Sequence, residues 1–228
     1  MKYIILIPIY NERDSLKLLI ENINNEIKDL NHEISIVVIN DASTEQIIDT
    51  YPNIENFNSI EIVNMKENRG HTRCIASGLK YIFEKKEFDF VIPMDGDGED
   101  KPEELKNFIN LSEQSSERSI IGERVKRSEG LFFQLCYEFH KFLTFAFTGQ
   151  SIKFGNFTCL SKSTVKKMLE EKATWNSFSG SLKKLEKDLI TSPSTRGKRY
   201  FGPSKMSFFN LLKHSLSIIS VFRKTVLI

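Results

Sequence analysis

Apolar residues in this chain cluster into short, nearly unbroken runs separated by amphipathic stretches. Tyr3-Ile4-Ile5-Leu6-Ile7-Pro8-Ile9, Ile34-Ser35-Ile36-Val37-Val38-Ile39 and Phe88 to Met94 lack the polar alternation of a half-exposed strand. They read as strands covered on both faces. Ser59-Ile60-Glu61-Ile62-Val63 is a weaker strand. Leu16, Leu19, Ile20, Ile23 and Ile27 recur at helical spacing and predict a helix from about Ser15 to Lys28. Ile75, Leu79, Ile82 and Phe83 predict another, entered through the loop Glu67-Asn68-Arg69-Gly70. Strands alternating with helices give a mostly parallel sheet with right-handed crossovers.

Further along, Leu105, Phe108 and Ile109 point inward from a helix over Glu103 to Ser112, which Asp100 caps with Pro102 at its start. Ser119 to Gly122 is a short strand leading into a basic loop, Glu123 to Arg127. The phenylalanine-rich helix Leu131 to Phe147 is apolar on more than one face and packs against a neighbouring chain or touches lipid. Phe154 to Leu160 is extended, Ser163 caps a short helix through Met168, and Trp175 to Leu189 is loop then helix. Ser192 to Lys198 reads as a turn-rich loop. A last amphipathic helix, about Ser207 to Phe222, suits a membrane interface, the domain's own surface or a partner subunit.

The polar residues that end the strands carry the candidate chemistry. Phe90-Val91-Ile92-Pro93-Met94 breaks off into Asp95-Gly96-Asp97-Gly98-Glu99-Asp100. Three carboxylates at alternate positions on an extended turn can converge their oxygens on a hard divalent cation, with substrate phosphates completing the shell. Tyr10, Glu12 and Asp41 follow two other buried strands. Parallel sheets bind ligands at that edge, so these residues predict a nucleotide crevice. Neither a Walker A loop nor a GxGxxG is present, which argues against simple ATPase and dinucleotide-dehydrogenase readings.

Lys plus Arg is 32 and Asp plus Glu 30, a net charge of +2, so nucleic acid is not an expected partner. The charge is uneven, however. From Leu189 onward come Arg196, Lys198, Arg199, Lys205, Lys213, Arg223 and Lys224 with no acid among them, a tail suited to an anionic ligand or membrane surface. Cys74, Cys136 and Cys159 form no CxxC pair and suit a reducing compartment. No signal peptide is read, and no apolar run reaches the roughly 20 residues that span a bilayer. The expected location is cytoplasmic, peripheral on the inner face of the membrane.

Four motifs together resemble the family 2 glycosyltransferases of the GT-A fold. They are Ile7-Pro8-Ile9-Tyr10-Asn11-Glu12, Val38-Ile39-Asn40-Asp41-Ala42-Ser43, Asn68-Arg69-Gly70 with Ala76 and Gly78, and Met94 to Glu103. Gly122-Glu123-Arg124, Gly155-Asn156-Phe157 and Arg199-Tyr200-Phe201-Gly202-Pro203-Ser204-Lys205 resemble the branch of dolichyl-phosphate mannose synthase and the bacterial polyprenyl-phosphate glycosyltransferases. The resemblance implies an α/β, Rossmann-like GT-A domain over residues 1–205 and a C-terminal amphipathic helix over 206–228. It implies inverting transfer of a sugar from a nucleotide-diphosphate donor, with Mg²⁺ or Mn²⁺ on Asp95, Asp97 and Glu99. Arg199 and Lys205 would assist the departing diphosphate. Pro8, Tyr10, Glu12, Asn40, Asp41, Arg69, Gly70, Asp95 and Gly96 would hold the nucleotide-sugar, with Tyr10 along the base and Asp41 accepting its imide hydrogen. Arg124, Arg127, Asn156 and Ser204 would meet the acceptor.

The sequence departs from the family in three places. Asn40-Asp41 stands where two acids are common. Asn156 stands where the family has an aspartate; an amide cannot act as a base, which favours an already ionised phosphate acceptor over a sugar hydroxyl. A single amphipathic helix follows the R-x-x-G-x-S-K string where the branch often has membrane spans. A polyprenyl phosphate is the leading acceptor. The alternatives are a soluble transferase acting on a surface polysaccharide or a protein, and an inactive nucleotide-sugar-binding scaffold; pairing into a homo-oligomer through the phenylalanine-rich helix is a further expectation.

Overall fold

The structure, a computed structural model, describes residues 1–47, 55–115, 117–126, 152–202 and 216–222. The apolar runs form the middle of a seven-stranded sheet: β1 (Lys2–Ile9), β2 (Glu33–Asn40), β3 (Ser59–Asn64), β4 (Phe90–Pro93), β5 (Ile120–Lys126), β6 (Phe154–Ser161) and β7 (Ile190–Thr195), in the order β3-β2-β1-β4-β6-β5-β7. β1 runs parallel to β2, with Ile7 opposite Val38, and to β4, with Tyr3 opposite Phe90. β6 is antiparallel to both β4 and β5, and β7 returns parallel to β5. The sheet is therefore mixed but mostly parallel.

Helices cover both faces, which is why the central strands can be apolar throughout. α1 (Arg13–Ile27) and α3 (Leu105–Glu113) pack Leu16, Ile20, Ile23 and Phe108 against Tyr3, Ile5, Ile7 and Ile9 of β1. On the other face, α2 (His71–Lys85), α4 (Lys162–Glu170) and α5 (Phe178–Leu185) pack Ile75, Leu79, Val165 and Leu182 against Ile4 and Leu6. The period-2 alternation of β1 thus feeds two separate cores. Gly78 lets α2 lie close on the sheet: a Cβ there would sit 2.4 Å from Leu6 Cδ1.

Several local expectations change. Residues 190–195 form strand β7, not a loop. β7 is an edge strand, where a proline such as Pro193 is tolerated because only one side of the ladder needs donors. Gly155-Asn156-Phe157 lies within β6, as the extended reading of Phe154 to Leu160 expects, but β5 continues through the expected basic loop to Lys126. Ser161, not Ser163, caps α4, accepting from the Thr164 amide. Asp100 caps nothing. Pro102 does open the 3-10 turn Pro102–Glu104 ahead of α3, but that turn has no side-chain cap.

The phenylalanine-rich stretch 131–147 lies outside the described residues. Of the C-terminal helix only 216–222 is described. There Ile218, Val221 and Phe222 are buried against Ile152 and Ala173, while Leu216 is exposed. Among the described residues no helix is long and apolar enough to cross a membrane.

Candidate active site

The C-terminal ends of β1, β2 and β4 lie side by side, and their loops are tied together. Asn11, at φ 51°, donates its amide to Ser43 Oγ, while its side-chain oxygen accepts from the Thr44 amide at 2.9 Å. Tyr10, beside it, is 40% exposed on the crevice rim. Pro8 is buried in β1, with its carbonyl 3.1 Å from where a Gly96 Cβ would sit, so β1 and the acidic turn approach backbone to backbone.

Asn40 and Asp41 serve the scaffold in this arrangement. Asn40 Nδ2 donates to Asn64 Oδ1 at 2.8 Å, and its oxygen accepts from the Ser43 amide. Asp41 is buried, and its two carboxylate oxygens each accept a backbone amide, Arg69 and Gly70, both at 2.8 Å. Those bonds hold the turn that launches α2, with Gly70 at φ +87°, a conformation natural only to glycine. The Arg69 side chain pairs with Glu67.

The acidic turn after β4 folds back on itself. Asp100 Oδ2 accepts the Asp95 amide at 2.9 Å, and Asp97 Oδ1 accepts the Glu99 amide at 2.9 Å. Gly98 sits at φ +84°, with the Tyr200 ring 2.5 Å from where its Cβ would be. Each carboxylate faces a different cation. Asp95 Oδ1 lies 3.0 Å from His71 Nε2. Arg199 Nη1 donates to Asp97 Oδ2 at 2.6 Å, while its Nη2 donates to Glu12 Oε1 at 2.5 Å. Glu99 accepts from Arg196 Nε at 2.5 Å and also from its Nη2. The three acids therefore do not converge: among the described residues no three His, Cys, Asp or Glu side chains form a ligand set. Glu99 as a third metal ligand is not supported in this arrangement, because the Arg196 guanidinium takes it.

Residues 196–200, following β7, form a strap across the turn. The Gly197 amide donates to the Glu99 carbonyl at 2.7 Å and the Tyr200 amide to the Asp97 carbonyl at 3.0 Å. Asn22 of α1 donates to the Tyr200 hydroxyl at 2.9 Å. Arg124 lies against Gly155 on the β5–β6 side, its Nη2 2.6 Å from the position of a Gly155 Cβ. Its charge reaches both Asp95 and Asp100. Asn156 Nδ2 sits 3.5 Å from His71 Nδ1. Arg127, Ser204 and Lys205 lie outside the described residues.

Electrostatics separates the acids. Burial would raise the Asp95 carboxyl, but the adjacent His71 imidazole, with Arg196 and Arg124, holds it well below the carboxylate range. Burial, then the Asp95 charge, pushes Asp97 up to about 6 and Asp100 up to about 7. Desolvation opposes the His71 imidazolium, yet Asp95 outweighs it and the pKa rises. The crowded carboxylates exceed the positive charge close to them, and their all-oxygen donor set suits a hard divalent ion. Asp95 and Asp97 would hold such an ion only once Arg199 releases Asp97 Oδ2, with substrate phosphate completing the shell.

Two site residues escape the sequence. Arg196 is visible there only as part of a basic tail. His71 follows the Asn68-Arg69-Gly70 motif directly, and its place at the first position of a helix opening on the strand-end crevice is the one signal available.

A mostly parallel sheet with an acidic turn at the end of its central strand, beside the loops that follow β1 and β2 and under an arginine strap, has the architecture of the GT-A class. Residues 4–169 match the model of Glycosyl transferase family 2, and the chain belongs to that family. It is 28% identical over 227 residues to the undecaprenyl-phosphate 4-deoxy-4-formamido-L-arabinose transferase of Photorhabdus laumondii, a match covering 92% of this chain and 65% of that protein. The protein of that name from Yersinia enterocolitica is 25% identical over 235 residues, covering 99% and 69%. The chain thus spans about two thirds of the length of these relatives. Solved structures that share the fold include two with a nucleotide and Mn²⁺ bound. One is Mycobacterium tuberculosis glucosyl-3-phosphoglycerate synthase with Mn²⁺, UDP and phosphoglyceric acid, at TM-score 0.68 and 14% identity, covering 98% of this chain and 78% of that one. The other is a mannosyltransferase from Pyrobaculum calidifontis with GDP-Man and Mn²⁺, at TM-score 0.63 and 16% identity, covering 99% and 64%.

Proposed function

We propose that the protein transfers a sugar, with inversion, from a nucleotide-diphosphate sugar to a polyprenyl phosphate at the inner face of the membrane. The observation that carries this reading is the Asp95–Asp97 turn, placed between the Tyr10–Asp41 crevice and the cationic side chains of Arg199, Arg196 and Arg124. The base would lie along Tyr10. Asp41, already bonded to two amides, supports the rim and meets the base only through its remaining lone pairs. Asp95 and Asp97 would hold Mg²⁺ or Mn²⁺ against the donor diphosphate; when bound, the ion neutralises charge that grows as the glycosidic bond breaks. Arg199 would exchange its carboxylate partners for diphosphate oxygens, since a guanidinium fork matches phosphate geometry. Lys205, next in the same motif, would add a second positive charge.

Arg124, with Arg127, would receive the acceptor phosphate. Such a phosphate is ionised at neutral pH and needs little help from a general base, so the amide at Asn156 is no obstacle. The acceptors named for relatives at 24–28% identity, undecaprenyl phosphates, support the choice. The basic, acid-free C-terminal stretch suits an anionic surface.

A thermal-shift screen of nucleoside diphosphates with and without Mn²⁺ tests the donor site through binding linkage. One nucleotide should stabilise the protein, and more so with metal. Labelled sugar should then enter the organic-extractable lipid fraction. Asp97→Ala should abolish transfer while leaving the circular dichroism spectrum unchanged; full metal-dependent transfer by that variant would overturn the site assignment.

A further inference from the structure

We infer that His71 is a positioning residue that decides which oxygen of Asp95 faces the crevice, and that Asn156 fixes His71 in turn. The inference rests on the metal–diphosphate reading of the same site. His71 is the first residue of α2, and the two residues before it are held by a buried acid at the end of β2: Asp41 accepts both the Arg69 and Gly70 amides at 2.8 Å. The ring is therefore delivered from a rigid origin. Nε2 meets Asp95 Oδ1 at 3.0 Å, and Nδ1 faces the Asn156 amide nitrogen at 3.5 Å.

Nε2–H donates to Asp95 whether the ring is neutral or charged. The Asn156 amide can serve either state: its nitrogen donates to a bare Nδ1, and its oxygen accepts from Nδ1–H when the amide is turned over. An aspartate at 156 could only accept. Asn156 thus holds the ring in both protonation states. Oδ1 of Asp95 is committed to the histidine, which leaves Oδ2 as the atom offered to a cation. Partners that orient a ligand in this way typically change metal affinity by about 10–100-fold when removed. The arrangement joins β6, on the acceptor side, to β4, on the donor side, through one ring.

The test is Mn²⁺ titration by electron paramagnetic resonance on the full chain, in the presence of UDP or GDP, whichever stabilises the wild type. His71→Ala should weaken Mn²⁺ binding about 10–100-fold. His71→Gln, whose amide can donate from nearly the same place as Nε2, should recover most of that loss. Asn156→Ala should weaken binding when His71 is present and add nothing in the His71→Ala background, the signature of two residues acting in series. The His71 side chain is 47% exposed, so little packing is lost on its removal, and a native circular dichroism spectrum checks that each variant folds. If the wild type binds Mn²⁺ and His71→Ala binds it equally well, the positioning role is refuted while the metal site stands. Equal loss in the Ala and Gln variants, or additive effects of His71 and Asn156, also refutes it. If the wild type itself binds no Mn²⁺ with either nucleotide, the metal reading falls and this inference falls with it.

Discussion

Asp41→Asn is the substitution that best separates scaffold from chemistry at the rim proposed to meet the base. The shape is conserved and only the charge and one acceptor change. In the native protein two amides, Arg69 and Gly70, each donate to one carboxylate oxygen at 2.8 Å in a side chain only 3% exposed. Asparagine keeps one acceptor and turns an NH₂ toward the other amide. One charge-assisted hydrogen bond, worth about 1.5–3 kcal/mol, is lost, and a buried N–H is left facing a donor. Relief of a buried charge offsets part of this, so a net loss of about 2 kcal/mol is expected. For a chain of 228 residues that is a fall in melting temperature of about 4–8 °C. The assay is thermal unfolding by circular dichroism without nucleotide, so that lost base contacts contribute nothing. Hydrogen exchange at Arg69 and Gly70 should quicken in parallel. An unchanged melting temperature with unchanged exchange would refute the argument that Asp41 builds the turn.

The pH dependence of the metal-free protein follows from the crowded acids. Asp97 and Asp100, raised from 3.8 to about 6 and about 7, contribute stability that is complete below the unfolded value and lost as pH rises through those values. His71, raised above 6.5, acts in the same direction, whereas the contribution of Asp95, whose pKa is lowered from 3.8, is complete above that value and constant across this window. The melting temperature in EDTA should therefore fall between about pH 5 and pH 8, and Mn²⁺ with nucleotide should flatten the trend; a rise over that range would contradict it. Gly98→Ala places a Cβ at φ +84° and 2.5 Å from the Tyr200 ring. It should cost about 1–3 kcal/mol in urea unfolding and speed exchange of the Tyr200 amide, and native-like stability would show that the strap does not bear on the turn.

Much of the fold was legible in one dimension. The runs at Tyr3–Ile9 and Ile34–Ile39 are strands because nothing in them could face water, and Leu16, Ile20 and Ile23 bury the face their spacing predicts. β7 was not legible: Ser192-Pro193-Ser194-Thr195 has turn composition, and only pairing with β5 at the sheet edge makes it a strand. For the site, the sequence placed Asp95, Asp97 and Glu12 at strand ends by itself, because a buried strand can carry a carboxylate only where it emerges.

Which cation meets which carboxylate was left to the tertiary structure. Arg199 reaches Asp97 across 102 residues and Glu12 across 187, and His71 reaches Asp95 across 24. Local sequence encodes where polarity begins, since that depends on burial of a few neighbouring side chains. Pairing between charges depends on strand order and on the strap after β7, and these are set by packing across both faces of the sheet rather than by any residue's neighbours in the chain.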